Sequence, residues 1–146
     1  MDLQYSKAEK DDVEIIYQFE SELVDAYEDK DAIAYDKVMA WIHNKISENI
    51  GEYTRVSLEG RPVAWFRFVP SEGRMEMDDL YVLPEFRNRG IGTKILEKCC
   101  SDTDLPVFLY VFRKNVGAVS LYERMGFRVI EEVGRTRYIM QRDNRT

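Results

Sequence analysis

The chain has 146 residues, of which 45% are hydrophobic and 33% are charged, and its formal net charge is −6. These values are typical of a single soluble globular domain with a hydrophobic core. No apolar run approaches the roughly 20 residues that a membrane-spanning helix needs, and the N-terminus lacks the basic and apolar regions of a signal peptide. We therefore expect one domain over residues 1–146, located in the cytoplasm and without a membrane partner.

The charge is unevenly distributed along the chain. Residues 1–50 carry thirteen Asp or Glu and five Lys or Arg, a balance of −8, whereas the remaining 96 residues carry 14 acidic and 16 basic side chains, a balance of +2. Nucleic-acid binding requires a basic face, so this distribution argues against it. It fits an anionic cofactor held by the back half and a neutral or cationic substrate met by the front half, although acidic helices are also simply soluble.

The first half of the chain is predicted to contain two amphipathic helices between strands. The predicted elements are a strand at residues 3–8, helices at 13–26 and 33–46, and strands at 53–58 and 63–69. Asp11 or Asp12 suits the N-cap of the first helix. A turn is predicted at residues 70–73, because Pro, Ser and Gly occur there together.

The second half is predicted to alternate strands and helices. The predicted elements are a strand at residues 75–82, a helix to about residue 100, an apolar strand at 107–111, a helix from 115 to 125, and a hairpin of 127–131 and 136–141. The strand–helix–strand unit at residues 75–111 should be a crossover that gives two parallel neighbours. A ligand would then lie at the carboxyl ends of these strands.

Histidine and cysteine usage excludes several kinds of site. His43 is the only histidine, so the sequence offers no multi-histidine metal site, and we expect no metal. Cys99 and Cys100 are adjacent in a predicted helix, where a disulfide between them would be badly strained. We interpret them as reduced thiols.

The stretch after the third strand combines a turn at Pro84 with a loop at residues 87–92, Arg-Asn-Arg-Gly-Ile-Gly. Such a loop before a helix can present backbone N–H groups, an unsatisfied helix N-terminus and fixed cations to one anion. Glycine has no Cβ, so a diphosphate can lie directly on the backbone. The stretch indicates a diphosphate-binding turn, although it is short and matches neither the Walker loop nor the dinucleotide-binding glycine motif.

A second pattern lies downstream, in the helix that is predicted to start at Asn115. It reads Asn-x-x-Ala-x-x-Leu-Tyr-x-x-x-Gly-Phe, and its defined positions are Asn115, Ala118, Leu121, Tyr122, Gly126 and Phe127. Upstream, an apolar strand ends in Leu-Tyr-Val at residues 80–82, followed by Arg-x-x-Gly-x-Gly at 87–92. Taken together, residues 74–130 resemble the GNAT superfamily of acetyl-CoA-dependent N-acetyltransferases, and the order of the predicted elements also fits.

The resemblance implies a single GNAT-like α/β domain with a mixed, mostly antiparallel central sheet flanked by helices. A splay between the parallel strands at residues 75–82 and 107–111 would form the slot for acetyl-CoA, the cosubstrate. The implied cofactor-binding residues are Leu80, Tyr81, Val82, Arg87, Asn88, Arg89, Gly90, Ile91, Gly92, Thr93, Asn115 and Tyr122. Asn115 would hydrogen-bond near the pantetheine arm or support the splay, although Asn also suits the helix N-cap.

The resemblance also implies direct acetyl transfer to an amine. A free amine has a pKa of about 10 and is protonated at neutral pH, so a base or a water relay must remove a proton. Glu76 is the first candidate and Asp78 the second, unless these carboxylates are only solvated or structural. Tyr122 occupies the family's general-acid position, with core packing as its alternative role, and the Val82 N–H would donate to the acetyl carbonyl.

The position of the acidic residues depends on the register of the strand. Strict alternation sends Glu76 and Asp78 to one face of the sheet and Asp79 to the other, unless a bulge shifts the register. Substrate recognition is expected from the first two helices, their link near residues 27–29, and the last hairpin. Trp41 and Trp65 could line a pocket, but aromatic residues at these spacings more often belong to the core.

The sequence therefore predicts an enzyme that acetylates a primary amine in a ternary complex. A small-molecule acceptor is the first expectation, and a protein or peptide N-acetyltransferase is the alternative within the enzyme class. A non-catalytic CoA-binding regulatory module is the alternative from another class. Whether the chain forms a homodimer stays open at this level.

Overall fold

The computed structural model describes residues 1–144 and shows a single α/β domain. Its helices are α1 (Val13–Tyr27), α2 (Tyr35–Glu48), α3 (Ile91–Ser101) and α4 (Val116–Arg124). Its strands are β1 (Leu3–Lys7), β2 (Tyr53–Leu58), β3 (Arg61–Ser71), β4 (Arg74–Val82), β5 (Val107–Phe112), β6 (Arg128–Val133) and β7 (Arg137–Arg142). None of the helices in this part of the chain combines the length and the apolar character that crossing a membrane requires.

The seven strands form one sheet in the order β1-β2-β3-β4-β5-β7-β6. All neighbours are antiparallel except β4 and β5, which are parallel and are joined by α3. The predicted crossover and the mixed, mostly antiparallel sheet are thus confirmed.

Helices cover both faces of the sheet and create two hydrophobic cores. Ile95 and Leu96 of α3 are fully buried in the first core, where α4 also packs. Ile16 of α1 and Ile46 of α2 are fully buried in the second core. The predicted apolar stripes of the helices therefore point at the sheet from opposite sides, which places α1 and α2 on one face and α3 and α4 on the other.

Strands β4 and β5 separate soon after they meet. Among the described residues they pair only at Met75 with Val107 and at Glu76 with Phe108. The rest of β4, up to Val82, has no β5 partner, whereas its other edge stays paired with β3. The predicted splay is confirmed, and it leaves a gap in the middle of the sheet.

A β-bulge follows in β4. Asp78 pairs with Arg67 and Tyr81 pairs with Trp65, so Asp79 and the next residue together oppose a single residue of β3. Asp79 has a positive φ of 53°, an uncommon backbone conformation for a residue other than glycine. The exception named for this strand, a bulge, therefore applies, and it brings Asp78 and Asp79 to the same side of the sheet where strict alternation would separate them.

Three predicted details differ from the structure. Pro70 belongs to β3 rather than to a turn, because β3 extends beyond its last pairing with β2 at Arg67, and an unpaired strand edge tolerates proline. Helix α2 begins at Tyr35, two residues later than predicted. Asp12 is the N-cap residue of α1, one of the two predicted positions, but its carboxylate accepts hydrogen bonds from the Trp65 indole and the Glu9 N–H and from no N–H of α1.

Candidate functional site

A cavity of about 1110 Å³ lies where β4 and β5 separate. Its wall contains residues of α1 and α2 from one face of the sheet and residues of α3 and α4 from the other. The cavity therefore extends through the gap in the sheet and connects the two faces.

The arginine–glycine loop forms the wall of the cavity on the α3 side. Gly90 has a φ of 81° and Asn88 a φ of 62°, so the chain turns sharply before α3. The first helical hydrogen bond runs from the Lys94 N–H to the Gly90 carbonyl, 3.0 Å apart. The N–H groups of Ile91 and Gly92 consequently have no intrahelical acceptor, and they lie at the positive end of the helix dipole.

Most of the residues predicted to bind the cofactor lie in the wall of this cavity. They are Leu80, Tyr81, Val82, Arg87, Asn88, Gly90, Ile91, Gly92, Thr93, Asn115 and Tyr122. Arg89 is not among the lining residues, and its guanidinium lies 5.3 Å from the centre of the Phe86 ring. The Arg87 Nε donates a hydrogen bond of 3.0 Å to the Val82 carbonyl, so its side chain folds back over the end of β4.

Two of the predicted cofactor-binding residues, Asn115 and Tyr122, come from the N-cap and the body of α4 and line the same cavity. The Asn115 Oδ1 accepts a long hydrogen bond of 3.4 Å from the Ala118 N–H, which is the N-cap role considered from sequence. The Tyr122 ring packs edge-on against Phe127, with 5.8 Å between the ring centres. Burial raises the pKa of Tyr122 to about 12, so its hydroxyl is protonated at neutral pH.

An acidic cluster lines the cavity on the α1–α2 side. The Lys45 Nζ lies 2.7 Å from one oxygen of Asp78 and 3.6 Å from an oxygen of Asp79. Arg67 donates to the same Asp78 oxygen at 3.1 Å, and the Tyr53 hydroxyl donates to Asp79 at 2.5 Å. The bulge in β4 makes this cluster possible, because it directs two consecutive carboxylates to one side.

Glu20 of α1 completes the cluster. Burial, followed by the charge of Asp79 and a hydrogen bond with it, raises the pKa of Glu20 well above its ordinary value. Burial alone would raise the pKa of Asp79, but the hydrogen bond with Glu20, the charge of Lys45 and the hydrogen bond from Tyr53 together lower it. The pair therefore favours a protonated Glu20 beside an ionised Asp79.

The two candidate bases lie on the same strand but have different surroundings. Burial and the charge of Asp79 raise the pKa of Asp78 to about 6, against the attraction of Lys45. Burial also raises the pKa of Glu76, which lies at the last paired position before the splay. Within residues 1–144, Glu76 forms no ion pair, whereas Asp78 forms two.

One row of side chains from α1 and one from α2 line the remainder of the cavity wall on the α1–α2 side. They contain Glu20, Leu23, Val24 and Tyr27 on α1 and Val38, Trp41, Ile42 and Lys45 on α2. Both rows have the spacing of residues that lie on one face of a helix. Trp41 is 63% exposed and lies at the edge of the cavity, whereas Trp65 is buried in the core.

Sequence reasoning missed four residues of the acidic cluster: Glu20, Lys45, Tyr53 and Arg67. A signal for two of them was present. Glu20 is four residues after Ile16 and three before Leu23, so a carboxylate falls within the apolar stripe of α1. Lys45 likewise follows Ile42 by three positions in the stripe of α2. A charged side chain in a core-facing position requires a buried partner.

Residues 14–127 match the sequence model of the acetyltransferase (GNAT) family. The chain belongs to this family. The matched residues extend from α1 to α4. They include the splayed strands, the arginine–glycine loop and the acidic cluster of this acetyltransferase.

Two curated relatives and one solved structure illustrate the similarity. An uncharacterized N-acetyltransferase of Methanocaldococcus jannaschii is 31% identical over 52% of this chain and 38% of its own length. The thialysine N-epsilon-acetyltransferase of Sus scrofa is 34% identical over 56% of this chain and 51% of its own. The match therefore spans about half or less of these relatives. The PaiA N-acetyltransferase of Thermoplasma acidophilum, solved with coenzyme A, is 19% identical over 98% of this chain and 99% of its own, with a TM-score of 0.71.

The raised pKa of Glu20 predicts a pH-dependent effect of the substitution Glu20→Gln. Above the ordinary carboxyl pKa of 4.5, the folded protein retains a proton on Glu20 that the unfolded chain loses, so the contribution of this group to stability falls as the pH rises. Thermal melts should therefore show a higher Tm for Glu20→Gln than for the wild type at about pH 8, with a smaller difference at about pH 4.

The matched control for this measurement is Glu22→Gln, because Glu22 is exposed on the same helix. Its difference in Tm from the wild type should be small at both pH values. A Tm difference for Glu20→Gln that does not change with pH would show that Glu20 ionises normally in the folded protein.

Proposed function

We propose that this chain is an N-acetyltransferase that moves an acetyl group from acetyl-CoA to a primary amine of a small molecule, by direct attack in a ternary complex. The observation that carries the proposal is the cavity that crosses the sheet between β4 and β5. Its α3 side offers helical N–H groups that suit a diphosphate. Its α1–α2 side offers carboxylates that suit an amine.

The residues on the α3 side fit coenzyme A. The loop N–H groups from Gly90 to Thr93 would hold the diphosphate, and the β4 edge beyond Glu76 has main-chain groups that an extended arm can pair with as an added strand. The fold is that of the Thermoplasma protein, whose structure contains coenzyme A, which supports the same ligand here. When bound, acetyl-CoA would supply the acetyl group as a thioester.

The shape of the α1–α2 side favours a small acceptor over a protein. The Asp78 and Asp79 side chains are only 15% and 5% exposed, so an acceptor has to insert between α1, α2 and β4 to reach them. A protein segment would need an open groove in which its main chain could lie. The small-molecule acceptor named for the pig relative supports the same choice.

The residues around the gap can provide the proton transfers that amide formation needs. A carboxylate would take the proton from the amino group of the acceptor, either directly or through water. The Val82 N–H would donate to the carbonyl oxygen as negative charge develops there. Tyr122 is protonated at neutral pH and would give its proton to the departing sulfur.

Glu76 remains the first candidate for the base and Asp78 the second. Asp78 has a suitable pKa of about 6, but Lys45 and Arg67 already bind its carboxylate. Glu76 lines the cavity at the start of the splay and, among the described residues, has no cation paired with it. A carboxylate without an ion-pair partner accepts a proton more readily than one held by two cations.

Release of free thiol from acetyl-CoA with a panel of primary amines tests the function directly. We expect turnover with small aliphatic amines and little or none with peptides. An enzyme-only blank is needed, because the protein contains two free cysteines. Turnover on peptides alone would favour a protein acceptor. Binding of CoA without turnover on any acceptor would favour the regulatory module and overturn the proposal.

The substitution Gly90→Val should weaken CoA binding by about ten- to hundredfold, because the positive φ of Gly90 is strained for any residue with a Cβ. Relief of that strain would move the N–H groups of the loop. Calorimetric titration with CoA measures the effect.

Gly73→Val is the matched control for the loop substitution. Gly73 has a φ of 82°, close to that of Gly90, and no other group lies within 4 Å of the added Cβ at either position. Both variants therefore carry the same backbone strain, but only one alters the loop. Equal CoA affinity in the two variants would exclude the loop as the diphosphate site.

Tyr122→Phe should lower kcat by about 100-fold or more, which is the usual contribution of a general acid, while leaving CoA affinity within a few-fold of the wild type. Steady-state thiol release and CoA titration separate the two quantities. An unchanged kcat would assign Tyr122 to packing against Phe127 only.

A further inference from the structure

The α1–α2 side of the cavity contains more negative than positive side chains. Four carboxyl groups line it, from Glu20, Glu76, Asp78 and Asp79, and the two basic side chains beside them are Lys45 and Arg67. Both of these cations bind Asp78, and only Lys45 also approaches Asp79. The negative charge that the protein leaves uncompensated is therefore concentrated at Asp79 and Glu76, and Glu20 lies beside Asp79 as a carboxyl group that ionises only when a cation binds there.

The Tyr81 hydroxyl marks where a ligand would complete this cluster. Tyr81 is 5% exposed, stacks on Phe19 with 4.3 Å between the ring centres, and lies in the cavity wall. Its hydroxyl is buried and, within the described part of the chain, forms no hydrogen bond of acceptable geometry, although the Glu20 carboxyl lies close to it. Burial, followed by the charge of Glu20, raises the pKa of Tyr81, so the hydroxyl stays protonated beside the carboxyl pair. A buried hydroxyl without a partner is uncommon in folded proteins.

We propose that Glu20, Asp79 and the Tyr81 hydroxyl form a subsite for a second, protonated amino group of the acceptor, so that the preferred acceptors are diamines. This inference rests on the proposed acetyltransferase function and specifies its substrate class. An ammonium group has three donors, which match two carboxylates and a phenolic oxygen. Docking of the ammonium group would shift Glu20 to its ionised form, with its proton passing to solvent, and would give two charge-assisted hydrogen bonds.

The electrostatics assign the subsite to the amino group that does not react. Two neighbouring carboxylates stabilise the charged form of a bound amine and raise its pKa. The nitrogen that attacks the thioester must instead be neutral. A nitrogen held between Glu20 and Asp79 would therefore be unreactive, and the reacting nitrogen would lie nearer Glu76 or Asp78.

The apolar stripes of α1 and α2 suit the carbon chain between two amino groups. Leu23 and Val38 line the cavity beside the cluster and can pack against methylene groups. Trp41 lies at its edge, where an indole face can also attract a cation. A monoamine would use the apolar surface but would leave the carboxyl pair and the Tyr81 hydroxyl without a ligand.

Matched acceptor pairs test the proposal. We would compare kcat/KM for diaminobutane with that for butylamine, and for diaminopentane with that for pentylamine, in the wild type, Glu20→Gln and Tyr81→Phe. The wild type should prefer the diamine by about ten- to hundredfold, as expected for one or two charge-assisted hydrogen bonds. Both substitutions should reduce this preference by about tenfold. Glu22→Gln, which removes an exposed charge from the same helix, should retain it.

The variants also separate a binding role from a structural one. Removal of a hydroxyl that has no partner should not impair folding, so a lower diamine preference in Tyr81→Phe with an unchanged Tm would indicate a ligand contact. An equal preference in the wild type and both variants, or equal rates for diamines and monoamines, would overturn the subsite and leave the acetyltransferase function intact.

If no amine is acetylated, the proposed function is wrong. Calorimetry then tests whether the diamine subsite exists. Diaminobutane would be titrated into the CoA-loaded protein. Binding that is at least about tenfold weaker in Glu20→Gln than in Glu22→Gln would support the subsite. Equal binding in the two variants, or no binding to the wild type, would overturn it.

Discussion

The candidate site depends on the irregularity of one strand, β4. Its pairing with β5 stops after Glu76, and three residues later its own register shifts at Asp79. The first irregularity opens the sheet, and the second directs two consecutive carboxylates to the same side of that opening. A bulge also increases the local twist of a strand, which is consistent with β4 and β5 diverging here. A regular β4 would close the cavity and send Asp79 into the opposite core.

The bulge brings two negative charges together, and side chains from other elements, Arg67 of β3 among them, compensate that charge. Asp78 and Asp79 are both largely buried, and adjacent buried carboxylates repel each other strongly. Lys45 from α2, Tyr53 from β2 and the proton on Glu20 from α1 all reduce that repulsion. The same groups hold α1 and α2 against β4, so the electrostatics of the site and the placement of these two helices have one origin.

Local patterns predicted most of the fold and the α3 side of the cavity. The periods of apolar residues located the helices and strands, and the loop at residues 87–92 and the helix after Asn115 carry motifs that are contiguous in sequence. The opposite side could not be predicted in this way. Glu20, Lys45 and Asp79 come together only through packing of distant segments, and no local pattern indicated that β4 would bulge.

Single residues show where sequence reasoning stops. The cluster of Pro, Ser and Gly at residues 70–73 predicts a turn, yet Pro70 lies where β3 extends past β2 and needs no N–H donor. Glu20 falls within the apolar stripe of α1, and an acidic residue in such a stripe is itself a reason to expect a buried partner.

A crystal structure of the protein with coenzyme A bound would show whether the gap between β4 and β5 connects a cofactor site to an acceptor site. We expect the diphosphate on the N–H groups that begin α3, the pantetheine arm along the β4 edge after Glu76, and the thiol end directed through the gap toward the acidic cluster. Coenzyme A bound away from the gap, or β4 and β5 paired along their full length in the complex, would contradict this expectation.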